Sequence, residues 1–113
     1  ALLGIGNLNP QTSAVVRAGF ITAEMLTELI GNGAVGDMAG QLYDQEGRLH
    51  QSSYNQRVIS ISFEDLCRIP TVVAVAAGRD KVNAIIGALK TCIIKVLITD
   101  APTARAIIKA SGV

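Results

Sequence analysis

Two consecutive stretches near the carboxyl end set the tightest limit on the fold. TVVAVAAG (71–78) is an unbroken run of small and β-branched apolar residues closed by glycine, and it passes straight into RDKVNAIIGALKTC, whose apolar residues recur at helical spacing. KVLITD followed by APTARAIIKASGV repeats the arrangement. A continuous apolar run fits a strand covered on both faces, because a strand with one solvated face alternates apolar and polar residues. Short links between strand and helix return the chain by a right-handed crossover to a parallel neighbour. The expected architecture is therefore α/β in three layers, with a mostly parallel sheet and helices on both faces.

The rest of the chain reads more coarsely. ALLGIG is a short buried strand that opens into the loop GNLNP. Thr12 to Ala18 makes a short helix stopped by Gly19, and Thr22 caps a longer one in TAEMLTELIGNG, where Met25, Leu26, Leu29 and Ile30 share a side. AVGDMAGQLYDQEG reads as a glycine-interrupted strand, RLHQSSYNQ as a polar loop, and the alternating RVISIS (57–62) as a strand with one solvated face. Ser62 then caps a short helix in FEDLCRIP, closed by Pro70.

Composition narrows the function classes. A chain of 113 residues has room for one core, and with half its residues hydrophobic and 17% charged it is globular and not disordered. Ten Lys and Arg against nine Asp and Glu leave a net charge of +1, without the basic excess that binding a phosphate backbone exploits, so this piece is not expected to hold DNA itself. Two Phe, two Tyr and no Trp exclude a stacking platform for single strands. Cys67 and Cys92, with a single His in the chain, indicate neither a zinc site nor a disulfide framework, and a reduced cytoplasmic setting fits. Both cysteines are expected as small buried hydrophobes on helix faces, and His50 as plain surface. No apolar stretch has membrane-spanning length, and no signal peptide opens the chain. ALLGIG begins without Met or a polar lead-in, as if cut from something longer.

No cofactor is expected, because neither GxxxxGK[ST] nor a strand followed by GxGxxG occurs, and GIGNLN has only two of the glycines. The candidate site is AAGRDK. In an open parallel sheet, ligands collect beyond the carboxyl ends of the strands, where helix starts present backbone N–H groups. Gly78 lets an anion approach the backbone, and Lys81 brings a full positive charge to the same point. A cation there opposes the helix dipole by about 0.3–1 kcal/mol, which a bound anion would relieve. The same spacing also fits a plain turn, with Asp80 as cap and Arg79 and Lys81 in water. Asp37, a carboxylate among glycines and apolar residues, is costly without a partner. It suits hydrogen bonds from sugar hydroxyls or a general base, or else a turn or bulge. Asp100 suits a helix cap, and Arg17 either an anion or solvent.

In order, the segments LLGIGNL, VVRAGFIT, GNGAVGDMAGQLYDQEG, RVISIS, IPTVVAVAAGRDKVNAIIGALKT and KVLITDAPTARAII carry a family resemblance. Over nearly its whole length the chain resembles the carboxyl-terminal half of the effector-binding domain of SorC-type sugar-responsive bacterial transcriptional regulators. The resemblance implies a fold like that of ribose-5-phosphate isomerase, glucosamine-6-phosphate deaminase and coenzyme A transferases, used for binding and not for turnover. A sugar-phosphate isomerase or deaminase-like enzyme on that fold is the alternative. Residues 1–113 would be a single, incomplete carboxyl-terminal part of a sugar-phosphate effector-binding domain. A small phosphorylated sugar would be the partner, DNA would be held only by an amino-terminal helix-turn-helix outside this chain, and the protein would be a cytoplasmic dimer or tetramer with no membrane contact. Position by position, the resemblance puts Lys81 on the sugar phosphate with Gly78 giving backbone access, Asp37 against the hydroxyls, and Arg17 on a second anionic group. The chain departs from the family pattern at Ala77 or Arg79, where a second glycine is frequent, and the family's other phosphate loop lies upstream of Ala1.

Overall fold

The computed structural model describes residues 1–112. In chain order the elements are β1 (Leu2–Gly4), α1 (Ala14–Arg17), α2 (Ala23–Gly31), β2 (Ala34–Met38), β3 (Gln41–Asp44), α3 (Ser53–Arg57), α4 (Phe63–Cys67), β4 (Val73–Val75), a 3-10 turn at Arg79–Lys81, α5 (Val82–Lys90), β5 (Val96–Ile98) and α6 (Ala101–Ser111). The two strand-to-helix units form as their sequences require. Strands β1, β4 and β5 make a parallel sheet in that order, with Leu3, Ala74 and Leu97 in register on one face. That face packs against Ile85 and Ala88 of α5 and Ile107 of α6, and the small Ala74 and Ala76 let the helices close on it. No helix is long and apolar enough to cross a membrane among the described residues.

The helix caps follow the sequence. Thr22 Oγ1 accepts the Met25 amide at 3.1 Å, Ser62 Oγ the Asp65 amide at 3.0 Å, and Asp100 Oδ1 the Thr103 amide at 2.9 Å. In α6, Pro102 sits in the first turn, where its missing N–H costs nothing, and Gly112 closes the helix at φ 76.

The opposite sheet face differs from expectation. Leu2, Val75, Val96 and Ile98 share it, and all are exposed, Leu2 at 73%. Among the described residues the parallel sheet has its helical layer on one side, and the continuous apolar runs that predicted two layers leave the other side bare.

AVGDMAGQLYD is a hairpin and not one interrupted strand: β2 and β3 pair antiparallel across Ala39 and Gly40, both at positive φ (53 and 79). Such two-residue turns match the twist of the flanking strands. The hairpin stacks on α5 through Tyr43, which is fully buried and donates its hydroxyl proton to the Ala84 carbonyl at 2.5 Å. Gly36 makes room for this contact, since a Cβ there would lie 2.8 Å from both the Tyr43 ring and the Ala84 methyl. Tyr43→Phe is expected to lower unfolding stability by about 1 kcal/mol, the net worth of one buried hydrogen bond, with an unchanged dependence on urea concentration.

RVISIS is not a strand. Its first residue ends α3, no strand pairs with it among the described residues, and Ile59 is fully exposed. Its alternation is real, but no neighbour lies alongside. Helix α3 arises inside the predicted loop because Ser52 Oγ accepts the Asn55 amide at 3.2 Å. The buried Asn55 side chain then bonds both backbone groups of Leu42, each at 2.8 Å, and also the His50 carbonyl. His50 is buried, with Nε2 3.0 Å from the Asn32 carbonyl, so it is not surface. Cys67 and Cys92 are exposed, contrary to their expected place in the core; Cys92 lies at φ 62, in the left-handed turn after α5.

Candidate functional site

Strand β4 delivers the chain to Gly78, whose φ of 127 lies in a region that side chains rarely adopt. The Gly78 amide donates to Thr103 Oγ1 of α6 at 2.9 Å, so this one N–H is already engaged. The Lys81 amide closes the turn onto the Gly78 carbonyl at 3.1 Å, and half-buried Lys81 begins α5. Asp80, a cap on the plain reading, does something else. Its Oδ2 accepts from Asn7 Nδ2 at 2.6 Å, and its Oδ1 sits where a Gly78 side chain would be, 2.7 Å from an added Cβ.

Asp37 reaches the same region from β2. Its backbone exchanges two hydrogen bonds with Gly6: the Gly6 amide donates to the Asp37 carbonyl at 2.9 Å, and the Asp37 amide to the Gly6 carbonyl at 3.1 Å. The GIGNLN loop is thereby laid against the hairpin. Burial pushes the Asp37 carboxyl above the ordinary carboxylate range, and the Lys81 ammonium opposes that shift. Burial, and then the charge of Asp37, push the Tyr43 hydroxyl far up. Tyr54 is raised by burial and then by Asp37, with Arg57 opposing.

The structure therefore brings Asp37, Lys81 and Gly78 together, although Asp37 and Lys81 lie far apart in sequence. They form no salt bridge; the salt bridges among the described residues join Arg68 to Glu64 and Asp65. The Lys81 ammonium and the partly buried Asp37 carboxyl thus influence each other electrostatically without forming an ion pair. Arg17 is exposed at the end of α1, and no hydrogen bond of its side chain ties it to the other three among the described residues.

Two residues missed in the sequence belong to the same field. Tyr54 and Arg57, one helical turn apart on α3, line a cavity of about 410 Å³ with Phe20, Gly40, Val58 and Ile59. The signal was Ser52 as a cap, which makes SYNQR a helix and puts Tyr54 and Arg57 on one side. No three His, Cys, Asp or Glu side chains among the described residues lie close enough to hold a metal ion.

A parallel sheet with helices packed on it and a lysine-bearing turn at its strand ends defines an α/β domain. The chain belongs to the sugar-binding domain family of transcriptional regulators: the family model described as "Putative sugar-binding domain" matches residues 1–109. It is 34% identical over 114 residues to the transcriptional regulator LsrR of Enterobacter sp. (strain 638), covering 99% of this chain and 35% of that protein. Among solved structures it is similar to a DeoR family transcriptional regulator from Listeria monocytogenes, at 32% identity and a TM-score of 0.87 over 95% of this chain and 43% of that one. The full-length sorbitol operon regulator SorC from Klebsiella pneumoniae superposes at a TM-score of 0.85, with 28% identity over 96% of this chain and 35% of that one. The resemblance to SorC-type regulators is thus borne out, and the chain spans about a third of the length of LsrR and SorC.

Proposed function

We propose that this chain is the effector-binding part of a sugar-responsive transcriptional regulator, and that its effector is a small phosphorylated sugar. The observation that carries this reading is the Lys81 ammonium, half-buried at the strand ends and close enough to the partly buried Asp37 carboxyl to act on its charge, with no salt bridge between them. Each group is partly withdrawn from water without a full partner, a cost that a bridging ligand would offset. A sugar phosphate matches both ends: its phosphate accepts charge-assisted hydrogen bonds from Lys81, and its hydroxyls donate to Asp37. Gly78 shapes the turn that aims Lys81, and Arg17 takes a second anionic group.

On this reading residues 1–113 are the carboxyl-terminal part of a larger domain. The bare face of Leu2, Val75, Val96 and Ile98 receives that domain's remaining layer, completing a three-layer fold of the ribose-5-phosphate isomerase and deaminase kind. DNA is held by a separate domain, and the sugar changes contacts within a cytoplasmic dimer or tetramer and hence the grip on the operator. Turnover would need an acid and a base within reach of one carbon, and Asp37 supplies only one of the two.

Thermal unfolding of the intact protein with erythrose 4-phosphate, ribose 5-phosphate and fructose 6-phosphate, each beside its unphosphorylated parent, tests the reading. At least one phosphate is expected to stabilise the fold, by about 2.7 kcal/mol at a hundred times its dissociation constant. Equal effects from the parent sugars, or none from any phosphate, would overturn it.

A further inference from the structure

We infer that Gly6 and Asn7, neighbours in the loop after β1, are positioning residues of this site: between them they seat the Asp37 carboxyl and keep Lys81 free for an anion. The inference rests on the reading of Asp37 and Lys81 as the effector site.

Gly6 acts through what it lacks. Its φ is not among the positive values of the chain, so its backbone does not require glycine. An added Cβ would instead lie 2.9 Å from Asp37 Cγ and closer still to Oδ1, and the three nearest atoms it would meet all belong to the Asp37 carboxyl. The two backbone hydrogen bonds between Gly6 and Asp37 fix the loop and β2 at that separation, so the carboxyl keeps its partly buried seat only while residue 6 has no side chain.

Asn7 acts on the other arm. It is nine-tenths buried, and its Nδ2 donates to Asp80 Oδ2 at 2.6 Å. Asp80 directly precedes Lys81, and a carboxylate without that partner would be drawn to the adjacent ammonium. By holding Asp80 against Gly78, Asn7 removes the nearest internal competitor for the phosphate. One dipeptide thus grips the hairpin with a backbone and the lysine turn with a side chain. Its anchor is β1, paired with β4 at Leu3 and Ala74.

The test uses the intact protein. Carboxyl carbon NMR titration follows Asp37, whose charged and titratable neighbours are Lys81, Tyr43 and Tyr54. Gly6→Ala is expected to move the Asp37 midpoint down toward the ordinary range by expelling the carboxyl into solvent. If Gly6→Ala unfolds the protein, Asp37→Ala in the same chain should restore folding, because it removes every atom in conflict. Asn7→Ala is expected to weaken binding of inorganic phosphate, measured by calorimetry, about tenfold, and to lose that effect in an Asp80→Asn background. An unmoved Asp37 midpoint in Gly6→Ala, failure of Asp37→Ala to restore folding, or the same loss from Asn7→Ala in the Asp80→Asn background would overturn the inference. Lys81→Ala with unchanged phosphate binding would sink the effector-site reading and the Asn7 arm with it, while the Asp37 midpoint, measured without any ligand, still decides the Gly6 arm.

Discussion

Lys81→Ala should weaken sugar-phosphate binding by about ten- to a hundredfold, the worth of one charge-assisted hydrogen bond at roughly 1.5–3 kcal/mol. The thermal shift that a phosphorylated sugar gives the intact protein should shrink accordingly. The ligand-free protein should not suffer. Lys81 stands at the start of α5, where a cation opposes the helix dipole, so its removal should leave stability unchanged or raise it by about 0.3–1 kcal/mol. Removing Lys81 also takes away the one influence that holds the Asp37 carboxyl down, so its titration should move further up. Calorimetry with the phosphorylated and unphosphorylated sugars separates the two effects: the phosphorylated sugar should lose most of its advantage. Wild-type affinity in Lys81→Ala would mean that the ammonium serves no ligand.

Asp37→Asn should move stability and binding in opposite directions. Burial disfavours the charged carboxyl, so its folded pKa lies above the unfolded value and the folded state holds the proton more tightly. Stability contributed by that proton is full below the ordinary range near 3.8 and declines as pH rises through the raised folded value. At neutral pH the wild type therefore carries a cost that the amide does not. Asp37→Asn should be more stable there by about 0.5–2 kcal/mol, the usual size of a stability gain bought with function. The advantage should vanish on acidification below the ordinary carboxylate range. Binding should fall at least about tenfold, because an amide oxygen is a weaker acceptor for sugar hydroxyls than a carboxylate. Wild-type affinity should likewise decline as pH drops through the raised Asp37 pKa. A variant that is destabilised at neutral pH, or that binds normally, would contradict this account.

The two strand-to-helix units were legible because their signals are local: each strand, glycine and helix is contiguous in sequence. The same holds for the caps at Thr22, Ser62 and Asp100. RVISIS misled for the complementary reason. Alternation records that residues can line two faces, but pairing needs a second segment, and that partner is not in the alternating residues. The hairpin hid behind Ala39, which takes a left-handed conformation without the Asn, Asp or Gly that usually announces it. Lys81 and Asp37 were separately visible as a charge at a helix start and a carboxylate among apolar residues. Their approach depends on Gly6 and Asn7, whose contacts with residues 37 and 80 are distant in sequence and leave no periodic trace.

The bond from the Gly78 amide to Thr103 joins the lysine turn to the last helix, and Thr103 is almost wholly enclosed. A shift of the turn would load that bond directly, since a tightly packed hydroxyl gives little slack. Helix α6 carries Arg105 and Lys109 on its outward side, beside Arg79 of the turn. The turn and the last helix would therefore move as one piece.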